Sequence, residues 1–346
     1  MNIRTRGGAS FLLTTTLAAV AVATAGCGGS NGAPPVGAPP ASQHAAAERA
    51  ATVNWLAKTN QMWTRDDFAA VDRVTTGEAR AIYRAEQRQA AGDPSPSGRA
   101  PFQLTGLSIT VPCQGGTGSG GAGSVFVAYG DTDVFTLGQS VRPEAMVFQR
   151  ADGTWKLAAV VNGSSGNSQP RWPALCRDGV DPAAVPVLAP ADYGATLARV
   201  LDHASTGAAE TAQAAAPFAV NSFFAGPDSI NVQFAAESRH DRAGGVTLAQ
   251  RFAPIAGPSF ALPLAGGRGY WLVGVFAQTS VYHAAAGTRK ASWPDGNSIA
   301  SPRPAVVHQE TDTFVTTYAA TDPLRSAGGR VVLDGFFGWP LTGVTR

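Results

Sequence analysis

Residues 146–161 read MVFQRADGTWKLAAVV, and this stretch predicts a β-hairpin. The runs on both sides of Ala-Asp-Gly, MVFQR and TWKLAAVV, are strand-like, and we assign them the period of two that is typical of strands. The Asp-Gly pair favours the tight turn that joins two antiparallel strands. The stretch therefore indicates an antiparallel sheet in this region.

Two segments before the hairpin have the same period, and each is predicted to be a strand. They read FQLTGLSITVP at 102–112 and SVFVAYG at 124–130. Upstream of them, from about Ala45, the apolar spacing becomes helical, with Val53, Leu56 and Trp63 on one predicted face.

Two short motifs predict further helix starts in the same region. TRDD at 64–67 and TTGE at 75–78 each place a hydroxyl three residues before a carboxylate, which is the capping-box pattern. Three helices followed by strands are therefore expected before residue 162.

The second half of the chain repeats this order. APADYGATLARVLDH at 189–203 predicts a helix with Pro190 near its start; Tyr193, Leu197, Val200 and Leu201 share one face. Predicted strands follow at 229–238, 260–283, 305–320 and 330–341, with a turn at AGGRG inside the second of them.

This order predicts an α+β fold. We expect two tandem modules, at 45–182 and 183–346, each with helices packed on a curved antiparallel sheet. NTF2-like and cystatin-like folds have such an arrangement. The strand–helix–strand alternation of a parallel sheet is missing, which argues against a periplasmic solute-binding fold.

The start of the chain predicts a lipoprotein signal peptide at 1–26. Arg4 and Arg6 precede the apolar run FLLTTTLAAVAVATA, which is short for a membrane span. Small residues then lead into Cys27 in the pattern of a bacterial lipobox, although Thr24 stands where leucine is usual. Cys27 is therefore the expected site of lipidation by diacylglycerol; a plain secretory signal is the alternative.

The residues after Cys27 predict a tether. The stretch at 27–44 is rich in Gly, Pro and Ser, and such a composition cannot bury enough surface to fold. Together with the anchor, it predicts a protein on the outer face of the cytoplasmic membrane, in an extracytoplasmic compartment.

Composition excludes one class of partner and suggests a cross-link. The 346 residues carry a net charge of +2 and no basic run, so nucleic acid is not an expected partner. Cys113 and Cys176 are the remaining cysteines, and outside the cytoplasm a pair predicts a disulfide. Two buried free thiols are the alternative, and no cofactor is expected.

Several of these features resemble a family of uncharacterised actinobacterial lipoproteins. They are the lipobox at Cys27, the Gly/Pro-rich tether, the 146–161 hairpin and ALPLAGGRGYWLVGVFAQTSVY at 261–282. The resemblance implies an extracytoplasmic location and a two-part body, and it supplies no activity.

The stretch HQETD at 308–312 holds the first candidate site. On a strand, His308, Glu310 and Asp312 would project from one face, where they could bind a divalent cation or perform acid–base chemistry. A solvated sheet face is the alternative.

Aromatic residues supply a second candidate, a ligand pocket lined by Tyr270, Trp271, Phe276 and Trp339. Hydrophobic core under a helix is the alternative reading. Three other motifs are interpreted as structural: GTGSGG at 116–121 as a hairpin loop, NGSSG at 162–166 as a turn, and ESRHDR at 237–242 as a charged loop.

No catalytic constellation emerges from these motifs. The sequence favours a binding or envelope-associated interaction protein, with the membrane as one partner and an envelope protein, lipid or glycan as the other. The alternatives are an enzyme of hydrolase or isomerase type with a pocket in one module, and a structural spacer.

Overall fold

The computed structural model describes residues 41–65, 67–92, 101–110, 125–133, 142–162, 175, 186–206, 217–219, 230–243, 245–255, 260–284 and 308–345. In these residues the chain forms helices and antiparallel sheets, which confirms the predicted mixture of α and β structure. Contacts group Pro40–Arg346 into one compact unit. The predicted module boundary, Cys27, Cys113, Cys176 and the 116–121 motif lie outside the described residues.

The described residues of the first half form three α-helices and a four-stranded sheet. Its elements are α1 (Ala41–Thr64), a 3-10 turn (Phe68–Ala70), α2 (Val71–Val74), α3 (Gly77–Gly92), β1 (Leu104–Thr110), β2 (Val125–Thr132), β3 (Arg142–Ala151) and β4 (Thr154–Asn162). The strands pair in chain order and are all antiparallel. The predicted hairpin is confirmed as β3 and β4: its turn residues Asp152 and Gly153 have φ of 53° and 73°, as a type I′ turn requires.

In the second half, the part of the chain that the structure describes forms two α-helices and a five-stranded sheet. Its elements are α4 (Pro190–Thr206), α5 (Ile230–Ala243), β5 (Val246–Pro254), β6 (Phe260–Pro263), β7 (Gly269–Ala284), β8 (Gln309–Pro323) and β9 (Val332–Thr345). The strand order is β5-β7-β8-β9, and β6 also pairs with β7. The predicted helix at 189–203 and the last three predicted strands are confirmed.

Two sequence predictions in this half were wrong, and both fall on α5. Residues 229–238 were predicted to be a strand and 237–242 a loop, whereas Ile230–Ala243 is a helix. Ile230 and Phe234 lie four residues apart, so the same short run fits a helical face as well as alternation. The Phe234 ring packs 5.6 Å from that of Phe252 in β5, a tertiary contact that local spacing does not reveal.

Helix α1 also differs from its predicted face. Val53 is 55% exposed, and the buried positions include the polar residues Glu48, Thr52 and Thr59. The capping boxes do not form either: the Thr75 hydroxyl donates to the Val71 carbonyl at 2.8 Å, and that of Thr64 donates to Asn60. Because Glu78 is not used as a cap, its carboxyl group is free to lie in the interior.

Hydrophobic clusters connect the elements. The first joins α1, α2 and α3 to one face of the first sheet, where the rings of Trp55 and Phe148 meet edge to face at 5.5 Å. The opposite face of that sheet contributes Val127 and Val147 to another cluster, which also contains Trp271 and Val273 of the second sheet.

A further cluster places α4 against the second sheet. Tyr193, Leu197 and Leu201 of α4 are fully buried there. The Tyr193 ring lies 4.9 Å from that of Tyr318 in β8, and Phe276 of β7 belongs to the same cluster. The face of β8 that carries Tyr318 is therefore the one that helix α4 covers.

Candidate functional site

Two acidic residues on β8 form a carboxyl pair. Glu310 and Asp312 are alternate residues of the strand, so they project from the same face, and they are 0% and 5% exposed. Their side chains share a hydrogen bond. Burial, followed by the neighbouring charge of Glu310, raises the pKa of Asp312 to about 8. Asp312 therefore keeps its proton at neutral pH, beside the Glu310 side chain.

Uncharged polar groups extend from this pair across the sheet. Ser280 of β7 is the register partner of Asp312, and Gln250 of β5 is the register partner of Ser280. The Gln278 amide donates to the Ser280 hydroxyl at 3.4 Å and accepts from Thr316 at 3.3 Å. One face of the sheet thus combines a proton donor, a carboxylate, amides and hydroxyls, a set that suits acid–base chemistry or the binding of a polar ligand.

His308 does not join this pair as a metal ligand. It is exposed, and it lies directly before β8, where its carbonyl oxygen accepts from the Ala284 amide at 2.9 Å. Among the described residues, His, Cys, Asp and Glu side chains do not gather in threes in a geometry that could hold a metal ion. The structure therefore brings Glu310 and Asp312 together, and it does not build the predicted three-residue cation site.

The four aromatic residues predicted to line a pocket are separated by the fold. Trp271 belongs to the cluster between the sheets, and Phe276, with Tyr270 packed nearby, belongs to the α4 cluster. Trp339 belongs to the cluster of α1–α3, and its indole N–H donates to the Thr317 hydroxyl at 3.1 Å. Successive positions of a strand point to opposite faces, so Tyr270 and Trp271 lie on different sides of the sheet and the four residues do not share one pocket.

A second group of acidic residues lies beneath the helices of the first half. Glu144 of β3 is 0% exposed, and neither of its carboxylate oxygens has a hydrogen-bond partner among the described residues. Its register partners are Gly130, which has no side chain, and Asn162. Burial raises the pKa of Glu144, the charges of Glu86 and Asp133 add to the rise, and Arg142 opposes it.

Helices α1 and α3 contribute further polar groups to this place. The Tyr83 hydroxyl is buried near Thr59, and burial followed by the charges of Glu86 and Glu144 raises the pKa of Tyr83. Asp133 lies at the end of β2, where one carboxylate oxygen accepts from the Gln103 amide at 2.7 Å. We call the set of Thr59, Tyr83, Glu86, Asp133, Arg142 and Glu144 the acidic centre.

Sequence analysis did not identify the acidic centre, although one signal for part of it was present. Glu144 precedes Met146 and Phe148 at alternate positions, so the hairpin pattern itself places a carboxylate on the buried face. Glu86 and Tyr83 carry no such signal, because their helix has polar residues on several sides.

Glu78 is a further buried acidic residue, at the start of α3. Burial raises the pKa of Glu78 to about 8, and the backbone N–H of Glu78 itself opposes this rise. The carboxylate makes no hydrogen bond to another described residue. Its charge raises the pKa of Tyr318 on β8, although burial is the larger cause there.

Comparison with protein-family models, with curated proteins and with solved structures finds no match for this chain. Within the described residues, the helices are too short or too polar to cross a membrane.

Proposed function

We propose that this chain is a lipid-anchored, extracytoplasmic protein that binds a ligand within its folded body and holds it near the membrane. The anchor is proposed from Cys27 and the tether, and the body from two α+β modules. The observation that carries the binding proposal is Glu144, which is completely buried and whose two carboxylate oxygens have no hydrogen-bond partner within the described part of the chain.

Burying a carboxyl group without partners costs free energy, of order 1–3 kcal/mol or more for a polar group. Folded proteins tolerate such groups mainly where they serve a ligand or a reaction. Glu144 could be replaced by an apolar residue on the face that carries Met146 and Phe148, yet the chain keeps an acid there. This cost supports a binding role for the acidic centre.

Two of the clusters group helices with the sheet of the same half: α1–α3 with the first sheet, and α4 with the second. The first of these clusters also includes Val275, Val315 and Trp339 of the second sheet, so the proposed modules share part of their core. We propose that each set of helices and strands is one module.

Ligand binding can be tested by thermal shift with the full chain. The panel comprises acyl lipids, glycans, peptides and small amines, measured with the wild type, Glu144→Gln and the control Asp152→Asn. Asp152 lies in the turn of the same hairpin and its side chain is 86% exposed. We expect at least one ligand to raise the Tm of wild type and control but not of Glu144→Gln. A panel without any shift, or shifts that Glu144→Gln retains, would overturn the proposal.

The anchor is tested separately by mass spectrometry of the mature protein from a membrane fraction. We expect the wild-type chain to begin at residue 27 with a diacylglyceryl cysteine. The Cys27→Ala variant should lack this modification. An unmodified N-terminus, or residues 1–26 still attached, contradicts the proposed location.

The carboxyl pair favours a second candidate function, an acid–base enzyme of hydrolase type. Glu310 and Asp312 are within hydrogen-bond distance, whereas the two carboxyl groups of glycosidases are about 5–9.5 Å apart. A directly bonded pair that shares one proton is the arrangement found in aspartic proteases. The pair can donate a proton from one carboxyl group while the other accepts one.

An epoxide reagent tests this candidate without knowledge of the substrate. The ionised carboxylate attacks an epoxide carbon, the carbon–oxygen bond of the ring breaks, and the neighbouring carboxylic acid protonates the leaving oxygen. The products are an ester on one residue and an alcohol on the reagent. We expect the adduct on Glu310 or Asp312, lost in Asp312→Asn, with the exposed Asp192 as the internal reference. If Glu310 and Asp312 are labelled no faster than Asp192, the enzyme candidate is contradicted. If, in addition, no ligand of the thermal-shift panel changes the Tm, a structural spacer is favoured.

A further inference from the structure

The fold buries acidic side chains and leaves basic ones in contact with solvent. Within the described part of the chain, nine acidic residues are buried, and no lysine or arginine is. Burial raises the pKa of Glu78 and that of Asp312 to about 8, so both residues keep a proton at neutral pH. The solvent-exposed surface is therefore more positive than the net charge of +2 indicates.

The helices of the first half show this separation over a short stretch. Residues 45–87 contain six lysines and arginines and six acidic residues, so the sequence itself is neutral there. All six cations are exposed, whereas Glu48, Glu78 and Glu86 are buried. The outer surface of α1–α3 therefore carries six cations and at most three acidic groups.

Three of these cations surround α2. The Arg73 guanidinium lies 2.7 Å from the Asp67 carboxylate, and Arg84 lies 2.8 Å from Asp72, which Arg80 approaches to 4.0 Å. The five side chains are between 46% and 65% exposed, and ion pairs of such exposure are weak. The guanidinium groups can therefore exchange these partners for phosphate oxygens, which arginine binds through two parallel hydrogen bonds.

The C-terminal part of α1 adds two further cations. Lys58 and Arg65 are seven residues apart, about two helical turns, so they lie on the same side of the helix. The Asp67 amide donates to the Met62 carbonyl oxygen at 3.0 Å, which holds the partner of Arg73 against the end of α1. We call the exposed cations of this region the basic face: Lys58, Arg65, Arg73, Arg80 and Arg84.

The helices of the basic face expose charge but little apolar surface. Among the described residues of α1–α3, Val53 is the only large apolar side chain that is exposed. A surface of this kind is attracted to anionic lipid headgroups, whereas insertion among acyl chains needs an apolar face. Salt should therefore weaken its contact with a membrane.

The proposed anchor joins the folded body at these same helices. Helix α1 begins at Ala41, about 14 residues after Cys27, and a flexible chain of that length spans about 20 Å on average. We propose that the basic face lies on the membrane surface and binds anionic lipid headgroups. This inference rests on the proposed lipid-anchored location, and it adds a second, electrostatic attachment to the anchor.

The test inserts the mature, lipidated chain into preformed vesicles of phosphatidylcholine, either alone or with about 30% phosphatidylglycerol. Sedimentation measures attachment to the vesicles. Phenylglyoxal then modifies exposed arginines, and peptide mass spectrometry gives the rate at each one. The variants are Arg80→Gln/Arg84→Gln and the control Arg199→Gln/Arg242→Gln, which removes the same charge from exposed positions of α4 and α5.

At low salt we expect Arg65 and Arg73 to react about fivefold more slowly on the anionic vesicles than on phosphatidylcholine. Arg199 and Arg242 should react equally on both, and about 0.5 M NaCl should remove the protection. Arg80→Gln/Arg84→Gln should lose most of it, because each cation near an anionic surface strengthens attachment about fivefold. The control variant should retain it.

Other outcomes overturn the inference in distinguishable ways. Equal rates on the two kinds of vesicle refute the basic face and leave the anchor in place. Equal protection of Arg199 and Arg242, or equal effects of the two double variants, shows attraction without a preferred face and refutes it as well. Protection that survives high salt refutes an electrostatic contact.

Sedimentation separates the inference from the proposed location. Attachment to anionic vesicles alone refutes the anchor and keeps the basic face, whereas attachment to neither kind refutes both. Ligand binding at Glu144 is measured independently by the thermal-shift panel. Thermal unfolding without vesicles shows that both double variants are folded.

Discussion

The side chain of Tyr318 lies across Gly274 on the neighbouring strand. The two residues are register partners in β8 and β7, and a Cβ atom at Gly274 would lie 2.5 Å from the Tyr318 hydroxyl oxygen and 2.7 Å from Cζ. Above the ring, a Cβ atom at Gly194 of α4 would lie 3.3 Å from the same oxygen. Two glycines thus provide the space in which Tyr318 packs between sheet and helix.

The first prediction concerns Gly274→Ala. The new methyl group cannot fit without moving the tyrosine ring, so we expect a loss of about 1–3 kcal/mol in unfolding free energy, measured by urea denaturation. The control is Gly338→Ala in β9, where the nearest atoms would be side-chain oxygens at 3.3 and 3.5 Å. In a Tyr318→Leu background the cost of Gly274→Ala should shrink. An equal cost in both backgrounds would show that the ring is not the obstacle.

The second prediction concerns the pH dependence of stability. Burial raises the pKa of Asp334 to about 7, and that of Glu78 and Asp312 to about 8. The folded protein therefore keeps protons that the unfolded chain releases near pH 4, and stability falls as pH rises through the raised values. We expect the urea midpoint to be higher at pH 5 than at pH 8.5.

Asp334→Asn isolates one contribution to this slope. Asp334 accepts a hydrogen bond from the Thr321 hydroxyl at 2.8 Å, and an amide oxygen can accept the same bond. The variant should lose less stability than wild type between pH 5 and pH 8.5, with a difference of about 1–3 kcal/mol. Parallel pH curves for the two proteins would refute this assignment; Asp152→Asn is the exposed control.

The third prediction concerns Asp322, which holds a chain segment against the end of β8. It is 0% exposed, and its carboxylate accepts from the amides of Val187 at 3.1 Å and Leu188 at 3.3 Å. In Asp322→Ala the Leu188 amide loses this acceptor, whereas the Val187 amide still donates to the Pro323 carbonyl oxygen at 3.0 Å. We expect a destabilisation of about 1–3 kcal/mol. Hydrogen exchange at the Leu188 amide should accelerate as well.

Asp72→Ala is the matched control for that measurement. Asp72 is about half exposed, and its ion pair with Arg84, at 2.8 Å, lies on the surface. Its removal should cost no more than about 1 kcal/mol. Equal losses of unfolding free energy in Asp72→Ala and Asp322→Ala would mean that the buried hydrogen bonds of Asp322 stabilise the fold no more than a surface ion pair does.

The fourth prediction concerns the hairpin turn. Gly153 has φ of 73°, and a Cβ atom there would meet no atom within 4 Å. Any cost of Gly153→Ala is therefore backbone strain, about 1 kcal/mol, without a steric component. Asp152→Asn should be nearly neutral, since asparagine tolerates positive φ. A stable Gly153→Ala protein with an unchanged midpoint would argue against the type I′ turn.

Local pattern was sufficient where the determining contacts are close in sequence. The hairpin could be predicted because an Asp-Gly turn lies between two strand-like runs, and a two-residue turn sets which residues of the two strands pair. Helix α4 could be predicted because Tyr193, Leu197 and Leu201 form a wide apolar stripe, and all three are buried. Glu310 and Asp312 could be placed on one face because a strand has a period of two.

The sequence alone thus determined the mixed fold class, the long antiparallel strands and the shared face of Glu310 and Asp312, since these follow from backbone geometry and short-range spacing. Only the tertiary structure decided that 230–243 is a helix, that four aromatic residues separate into different clusters, and that Glu86 and Glu144 meet beneath α3. These outcomes depend on which surfaces pack together. A carboxylate far along the chain becomes buried only when a helix from another region covers it.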